Sequence, residues 1–193
     1  MSKHKLTDEE LISKFQCGDV GAYNELVYRY KDRLLNFIYR YLNDIDRSED
    51  LVQDTLIKLY THKNSYKEIA KFSTWLYTIA ANLARTELRK IKRRKTFSIT
   101  ELSYEDREFI ISDSDDNIGD EDLRRSFEKN IQNALLELPD DFKTIIILRD
   151  IQELSYDDIS KIVAVPIGTV KSRINRGRLK LQELLKKKGE KLY

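Results

Sequence analysis

The residues best placed to do chemistry lie near the C-terminus, in the stretch IGTVKSRINRGRLKLQELL from position 167 to 185. Thr169, Ser172, Arg173 and Arg176 recur at i, i+3, i+4 and i+7, so on a helix they form one stripe, while Val170, Ile174 and Leu181 fall on the opposite side. Asn175 borders the polar stripe, and Lys171, Arg178 and Lys180 flank it. An Arg grips guanine O6 and N7 with two hydrogen bonds, an Asn does the same for adenine, and Ser and Thr bond to bases or phosphates. Flanking cations hold the phosphate backbone and make binding fall with salt. This is the chemistry of a helix that reads duplex DNA. A solvated basic face is the bland alternative, but it leaves the preceding residues unexplained. Ser155-Tyr156-Asp157-Asp158 has capping-box spacing and starts a short helix bearing Ile159, Ile162 and Val163. Ala164-Val165-Pro166 then turns the chain, with Pro166 at a first helical position where its missing N–H costs nothing. Short helix, tight turn and basic helix together predict a helix-turn-helix.

Other chemistry is poorly supported. His4 and His62 have no partner at the spacing that zinc or acid–base work requires. Cys17 sits in no motif that would activate a thiol, and there is no P-loop or GxGxxG segment. Glu49, Asp50 and Asp54 form a carboxylate cluster, for which a solvated helix surface is the simpler reading than a metal site. We therefore expect no catalytic residue, no metal, no cofactor and no enzymatic activity. A single cysteine cannot form an internal disulfide, no apolar run is long enough to cross a bilayer, and MSKHKLTDEE has no signal-peptide pattern. A soluble, cytoplasmic chain without membrane insertion is expected.

The elements that must carry these residues are helical. Thr7-Asp8-Glu9-Glu10 predicts a capped helix start with Leu11, Ile12 and Phe15 on its apolar side, broken at Gly18-Asp19. Leu26, Val27, Tyr30, Leu34, Phe37, Ile38 and Tyr41 give helical spacing from Ala22 to Leu42. After a turn at Asn43-Asp44, Ser48 is the expected N-cap of a helix running to about Tyr60. Thr61 to Lys71 is expected to be a loop. A long helix should follow from Ser73 to Lys95, with Trp75, Leu76, Ile79, Ala80 and Leu83 inward. Toward the C-terminus a helix ends at Leu138, before Pro139, and the next covers Asp140 to Asp150.

Charge divides the same map. The net charge of +2 conceals seven basic residues against Glu87 between Ala84 and Lys95, ten acidic residues against Arg107 between Glu101 and Asp122, and nine basic residues against two acidic ones between Lys171 and Lys191. Two cationic units on an anionic tether suit a polyanion bound at two places. The fold class expected is all-α: a helical domain over 5–95, an acidic flexible linker over 96–123, and a helix-turn-helix domain over 124–188. About thirty extended residues at ~3.3 Å each reach at most ~100 Å, or about three turns of duplex at ~34 Å each.

With these residues in view, SEDLVQDTLIKLY, KFSTWLYTIAANLARTELRK and ELSYDDISKIVAVPIGTVKSRINRGRLKLQELL, in that order around an acidic linker, resemble the bacterial RNA polymerase sigma factors of the two-domain, extracytoplasmic-function group. The resemblance covers nearly the whole chain. It implies that Asp50, Leu51, Gln53, Asp54 and Ile57 lie on the helix that docks on the polymerase β′ clamp, with further contacts to β. It implies that Asn64, Ser65, Tyr66, Phe72, Asn82, Arg85 and Arg89 belong to the segment that captures flipped bases of the −10 element, and that Arg93, Arg94 and Lys90 hold phosphates. Trp75 lies on the apolar stripe and is expected in the core instead. Thr169, Lys171, Ser172, Arg173, Asn175, Arg176 and Arg178 would read the −35 element as duplex. The linker resembles the connector that threads the polymerase RNA channel, and an anti-sigma factor is an implied partner. One departure is Ala164, where many relatives carry Gly in the turn. The competing reading is a stand-alone helix-turn-helix regulator, which binds palindromic duplex as a dimer rather than needing core polymerase.

Overall fold

The computed structural model describes residues 6–101 and 120–189, and every regular element among them is helical. Helix α1 (Asp8–Gln16) starts on the expected capping box: the Glu10 N–H donates to Thr7 Oγ1 at 3.2 Å, and the Thr7 N–H donates to the Glu10 carboxylate at 2.7 Å. Gly18, at φ +103°, supplies the turn into α2 (Val20–Leu42), a conformation open to glycine and costly for other residues. Asn43 closes α2 in the left-handed region at φ 57°, one of the residue types that tolerates it. The stop is so abrupt that Asp44 is already extended and accepts the Arg47 N–H at 3.0 Å, making Asp44 the cap of α3 (Ile45–Thr61). Ser48, the expected cap, is buried inside the first turn with its hydroxyl donating to the Asp44 carbonyl. A 3-10 turn (Lys63–Ser65) follows in the expected loop.

Helix α4 (Phe72–Glu101) is longer than expected and runs through the first residues assigned to the linker. Its buried side also differs from the expected one. Phe72, Leu76, Tyr77, Ala80, Ala81, Ala84 and Leu88 are buried, whereas Trp75, Ile79 and Leu83 are only half-buried. The cause is that α4 is covered twice, by α2 and α3 on one side and by α7 on another. The alanines let backbones approach closely there.

The C-terminal helices are α5 (Asp120–Glu137), α6 (Asp140–Ile146), a π-helical turn (Ile147–Ile151), α7 (Tyr156–Val163) and α8 (Ile167–Gly189). The single helix expected over 140–150 thus widens to π geometry after Ile146, and α5 begins four residues before the expected domain boundary at 124. The remaining linker residues, 102–119, and His4 lie outside the described residues. Helix α8 seats its Val170 and Ile174 against α5, α6 and α7, as the spacing predicts. Gly177 sets the depth of that seat: a Cβ there would stand 3.1 Å from Ile146 Cγ1 and 3.3 Å from Phe142 Cβ.

The two groups of helices share one continuous core. Polar contacts tie them together as well. Tyr77 donates to the Gln152 side chain with both residues buried, Thr144 Oγ1 donates to the Tyr41 hydroxyl at 3.2 Å, and Arg40 donates to Gln132 Oε1 at 3.1 Å. Burial pushes the Tyr77 hydroxyl pKa up to about 12, so it stays a donor through the physiological range. Asp158 of α7, 4% exposed, accepts from Thr74 Oγ1 at 2.8 Å and from Lys71 Nζ at 3.1 Å, both on the α4 side.

The C-terminal unit holds two non-glycine residues in the left-handed region, Glu153 and, in the turn between α7 and α8, Ala164. Ala164 is left-handed, at φ 54° and ψ 45°. A non-glycine residue there costs roughly 1–2 kcal/mol, part of which glycine returns as unfolded-chain entropy. Ala164→Gly is expected to raise stability by roughly 1 kcal/mol, read as a higher urea midpoint at unchanged slope. A lower midpoint would show that the Ala164 methyl contributes packing larger than the strain.

Candidate nucleic-acid interface

Helix α8 presents its polar stripe to solvent, though not uniformly. Ser172, Asn175, Arg176 and Lys171 are exposed, and Thr169 and Arg173 are half-buried. The Ser172 hydroxyl is turned back to the Thr169 carbonyl at 3.0 Å. Arg173 pairs with Asp141 at the start of α6, 3.1 Å away. Arg178 is held by both carboxylate oxygens of Asp150 in the π-helical turn, its Nε donating at 3.1 Å. That hydrogen bond and the Asp150 charge raise the Arg178 pKa further, so it stays charged. Exposed Arg176 therefore stands between two guanidiniums already fixed by carboxylates. Two anchors set the rotation of α8 about its axis and leave Ser172, Asn175 and Arg176 facing outward.

Sequence reasoning missed these counter-ions. Nothing in the immediate surroundings of Asp141 or Asp150 points to an Arg on a helix two elements further along the chain. The one signal in the sequence is that the segment from Asp140 to Asp150 carries more carboxylate than a helix N-terminus needs.

The second set of residues is divided by burial. Asn64 and Ser65, in the 3-10 turn, and Asn82 and Arg89, on α4, are exposed. Tyr66 and Phe72, expected beside them, are buried in this structure. Phe72 is fully buried, packed edge-on against Tyr30 and Tyr66 and tilted against Trp75. The Tyr66 ring rests on the same cluster and its hydroxyl donates to the Ala70 carbonyl at 2.9 Å. Gln16 reaches across from α1 to the Lys63 and Tyr66 carbonyls, at 2.8 and 3.1 Å, and so pins the turn that displays Asn64 and Ser65. The aromatic cluster is thus the floor beneath the turn. Arg85 is half-buried near the Tyr41 hydroxyl, whose pKa burial raises and Arg85 partly restores. Arg93 and Arg94 are exposed, and Lys90 pairs with Glu87 at 3.2 Å.

A third surface lies on α3. Asp50, Gln53, Asp54 and Ile57, at i, i+3, i+4 and i+7, are all exposed and form one continuous stripe. Ile57 is 57% exposed and Tyr60, one turn on, is 48% exposed, so apolar area sits beside carboxylates. Leu51 does not belong to it: it is buried in the core, 8% exposed, because it falls on the α3 face turned to α2 and α4. Among the described residues no group of His, Cys, Asp and Glu is arranged to hold a metal ion, and no helix is long and apolar enough to cross a membrane.

Comparison with known proteins places these surfaces in a family context. The model of Sigma-70 region 2 matches residues 26–94, and that of Sigma-70, region 4 matches residues 128–181. The extracytoplasmic-function RNA polymerase sigma factor SigW of Bacillus subtilis is 36% identical over 177 residues, 91% of this chain and 95% of its own length. The RNA polymerase sigma-H factor of Pseudomonas aeruginosa is 33% identical over 184 residues, 92% of this chain and 93% of its own. Among solved structures, the sigma factor RpoE of Bartonella quintana, in complex with the anti-sigma factor NepR, is 30% identical with a TM-score of 0.65, covering 85% of this chain and 96% of that one. CnrH, in complex with the cytosolic domain of CnrY, shares the fold at a TM-score of 0.69 and 21% identity, over 93% of this chain and 97% of that one.

Each anchoring pair of α8 has one member open to solvent and one half-buried, and pairs so near the surface contribute about 0–1 kcal/mol each. Asp141→Ala and Asp150→Ala are accordingly expected to leave the urea midpoint almost unchanged. They should also tighten binding of non-specific duplex, most visibly at low salt, because each frees a cation toward phosphate. Unchanged duplex affinity for both variants would remove the anchoring role assigned to the two carboxylates.

Proposed function

Because the chain belongs to the extracytoplasmic-function group of the sigma-70 family, a sigma factor that directs promoter-specific transcription rather than an enzyme, we propose a division of labour among its three exposed surfaces. The α3 stripe of Asp50, Gln53, Asp54 and Ile57 docks on the β′ clamp of core RNA polymerase. Carboxylates at i and i+4 suit Arg on a partner helix, and exposed Ile57 and Tyr60 add apolar area beside them. Helix α8 reads the −35 element in the major groove. Asn64, Ser65, Asn82 and Arg89 meet the melted −10 strand, where amides and hydroxyls bond to unstacked base edges and the cations of α4 track phosphate. The chain itself makes and breaks no covalent bond. Opening each base-pair step costs roughly 1.4 kcal/mol, which base capture and polymerase contacts must offset.

The observation that carries this reading is the outward stripe of Ser172, Asn175 and Arg176 on a helix fixed by Asp141 and Asp150. Arg173 and Arg178, expected from the sequence as direct readers, have carboxylate partners. They are better placed to hold α8 and share phosphate contact, which concentrates base readout on Asn175 and Arg176. An anti-sigma factor completes the proposed set of partners, as the RpoE–NepR complex suggests by analogy.

Run-off transcription with purified core polymerase on a promoter library tests the reading as a whole. Initiation from a subset of templates sharing two spaced elements is expected, and no initiation above core alone would sink it. Arg176→Ala should lose about 1–3 kcal/mol of promoter affinity and relax preference at one −35 position. Uniform weakening over all sequences would mark it as a phosphate contact. Asp54→Arg should impair association with core polymerase while leaving the helical circular dichroism unchanged, and wild-type affinity for core would remove the α3 assignment.

A further inference from the structure

The loop that displays Asn64 and Ser65 is held by α1, a helix that carries none of the residues proposed to touch DNA. Both donors of one side-chain amide are spent on it. Gln16 Nε2 donates to the Lys63 carbonyl at 2.8 Å and to the Tyr66 carbonyl at 3.1 Å, the carbonyls on either side of the displayed pair. The loop returns the contact: Lys63 Nζ donates to the Phe15 carbonyl at 2.8 Å and lies 4.4 Å from the centre of the Phe15 ring. That places a cation at the negative end of α1. The far end of the loop is fastened by the same helix. Glu9 accepts the Phe72 N–H at 3.0 Å, which sets a carboxylate on the positive end of α4. Glu9 and Gln16 lie two turns apart on one face of α1, so they grip the loop from points about 10 Å apart along the axis, at ~1.5 Å per residue. Within the turn itself the Ser65 N–H donates to the His62 carbonyl at 2.8 Å and the Tyr66 N–H to the Lys63 carbonyl at 3.2 Å. Such local bonds close a turn but do not aim it; the contacts with α1 do.

We propose that α1 is a splint for this loop, and that Gln16 is the positioning residue that sets base choice at the −10 element. The inference rests on the reading above, in which Asn64 and Ser65 meet the melted strand. Bases differ in the direction of their donors and acceptors. An amide or hydroxyl on a wandering backbone turns to suit several of them, whereas one on a held backbone suits few. Both Gln16 amide hydrogens point at the turn, so Gln16 acts through the loop backbone and not on a base.

The full chain tests this with Gln16→Met, which keeps the side-chain length and removes both donors, and Gln16→Glu, which turns carboxylate oxygens toward the two carbonyls. Core polymerase initiates on promoters premelted by mismatch over the −10 element and randomised there in the non-template strand, so that opening does not mask base choice. In both variants the ratio between the best and the next base at one −10 position should fall by roughly tenfold, the worth of one well-aimed contact to a base. Preference at the −35 element should stay as in wild type. Phe37, whose ring packs on Tyr41 and Tyr77, supplies the comparison: Phe37→Leu should lower the transcript yield and leave the base ratio unchanged. Wild-type −10 selectivity in both Gln16 variants would overturn the positioning role, as would an equal loss of selectivity in Phe37→Leu. A wild-type chain that is silent or unselective means that the reading of Asn64 and Ser65 has failed instead. The splint is then judged by amide hydrogen exchange on the free chain. Gln16→Met should speed exchange of the Ser65 and Tyr66 N–H groups and leave those of α2 as they are, whereas unchanged protection at 65 and 66 would overturn the splint.

Discussion

The structure turns on α4, which must satisfy several neighbours at once. Its apolar side closes the bundle made with α1, α2 and α3, and its alanines at 80, 81 and 84 allow the close approach that this requires. Thr74 and Tyr77 turn hydroxyls toward the C-terminal helices. Farther along, Asn82, Arg89, Arg93 and Arg94 remain in water. A helix with three obligations has no clean amphipathic stripe. That explains both its buried face and the difficulty of reading that face from a 3.6-residue period alone.

Where one neighbour decided the outcome, the sequence was legible. The capping box at Thr7, the Ser155 cap, the apolar row from Leu26 to Tyr41 and the inward Val170 and Ile174 all follow from local spacing, and all are found in the structure. Departures occur where a distant partner intervenes. Ser48 lost the cap because the left-handed Asn43 delivers an extended Asp44 first. Tyr66 and Phe72 had the right chemistry for stacking on a base, but a cluster with Tyr30 and Trp75 takes their faces. Leu51 stands within a polar stretch, and its own side of α3 looks inward. The π-helical turn left no composition signal, since Ile147 and Leu148 suit α and π geometry equally.

Burial also sorts the cations. On α8, Arg173 and Arg178 are held by carboxylates, whereas Lys171 and Arg176 face water. Asp141, Asp150 and Glu87 each take a partner from the basic segments that a charge count treats as uniform. A net charge of +7 over 171–191 therefore overstates what a duplex would meet. A fixed helix with few free donors would discriminate among bases better than a mobile one with many.

The seam between the two helical groups adds buried polar contacts to the shared apolar core. Its apolar part gains about 25 cal/mol for each Å² removed from water. Neutral hydrogen bonds such as Tyr77–Gln152 contribute only about 0.5–1.5 kcal/mol net, because water replaces the lost partner on unfolding. The Asp158 carboxylate is the most demanding group, since burial without donors would be costly. It also bonds Ser155, the cap of its own helix, so one carboxylate serves both the seam and the start of α7. Such shared groups let a few polar side chains hold the register of the two helical groups while the apolar core supplies most of the contact.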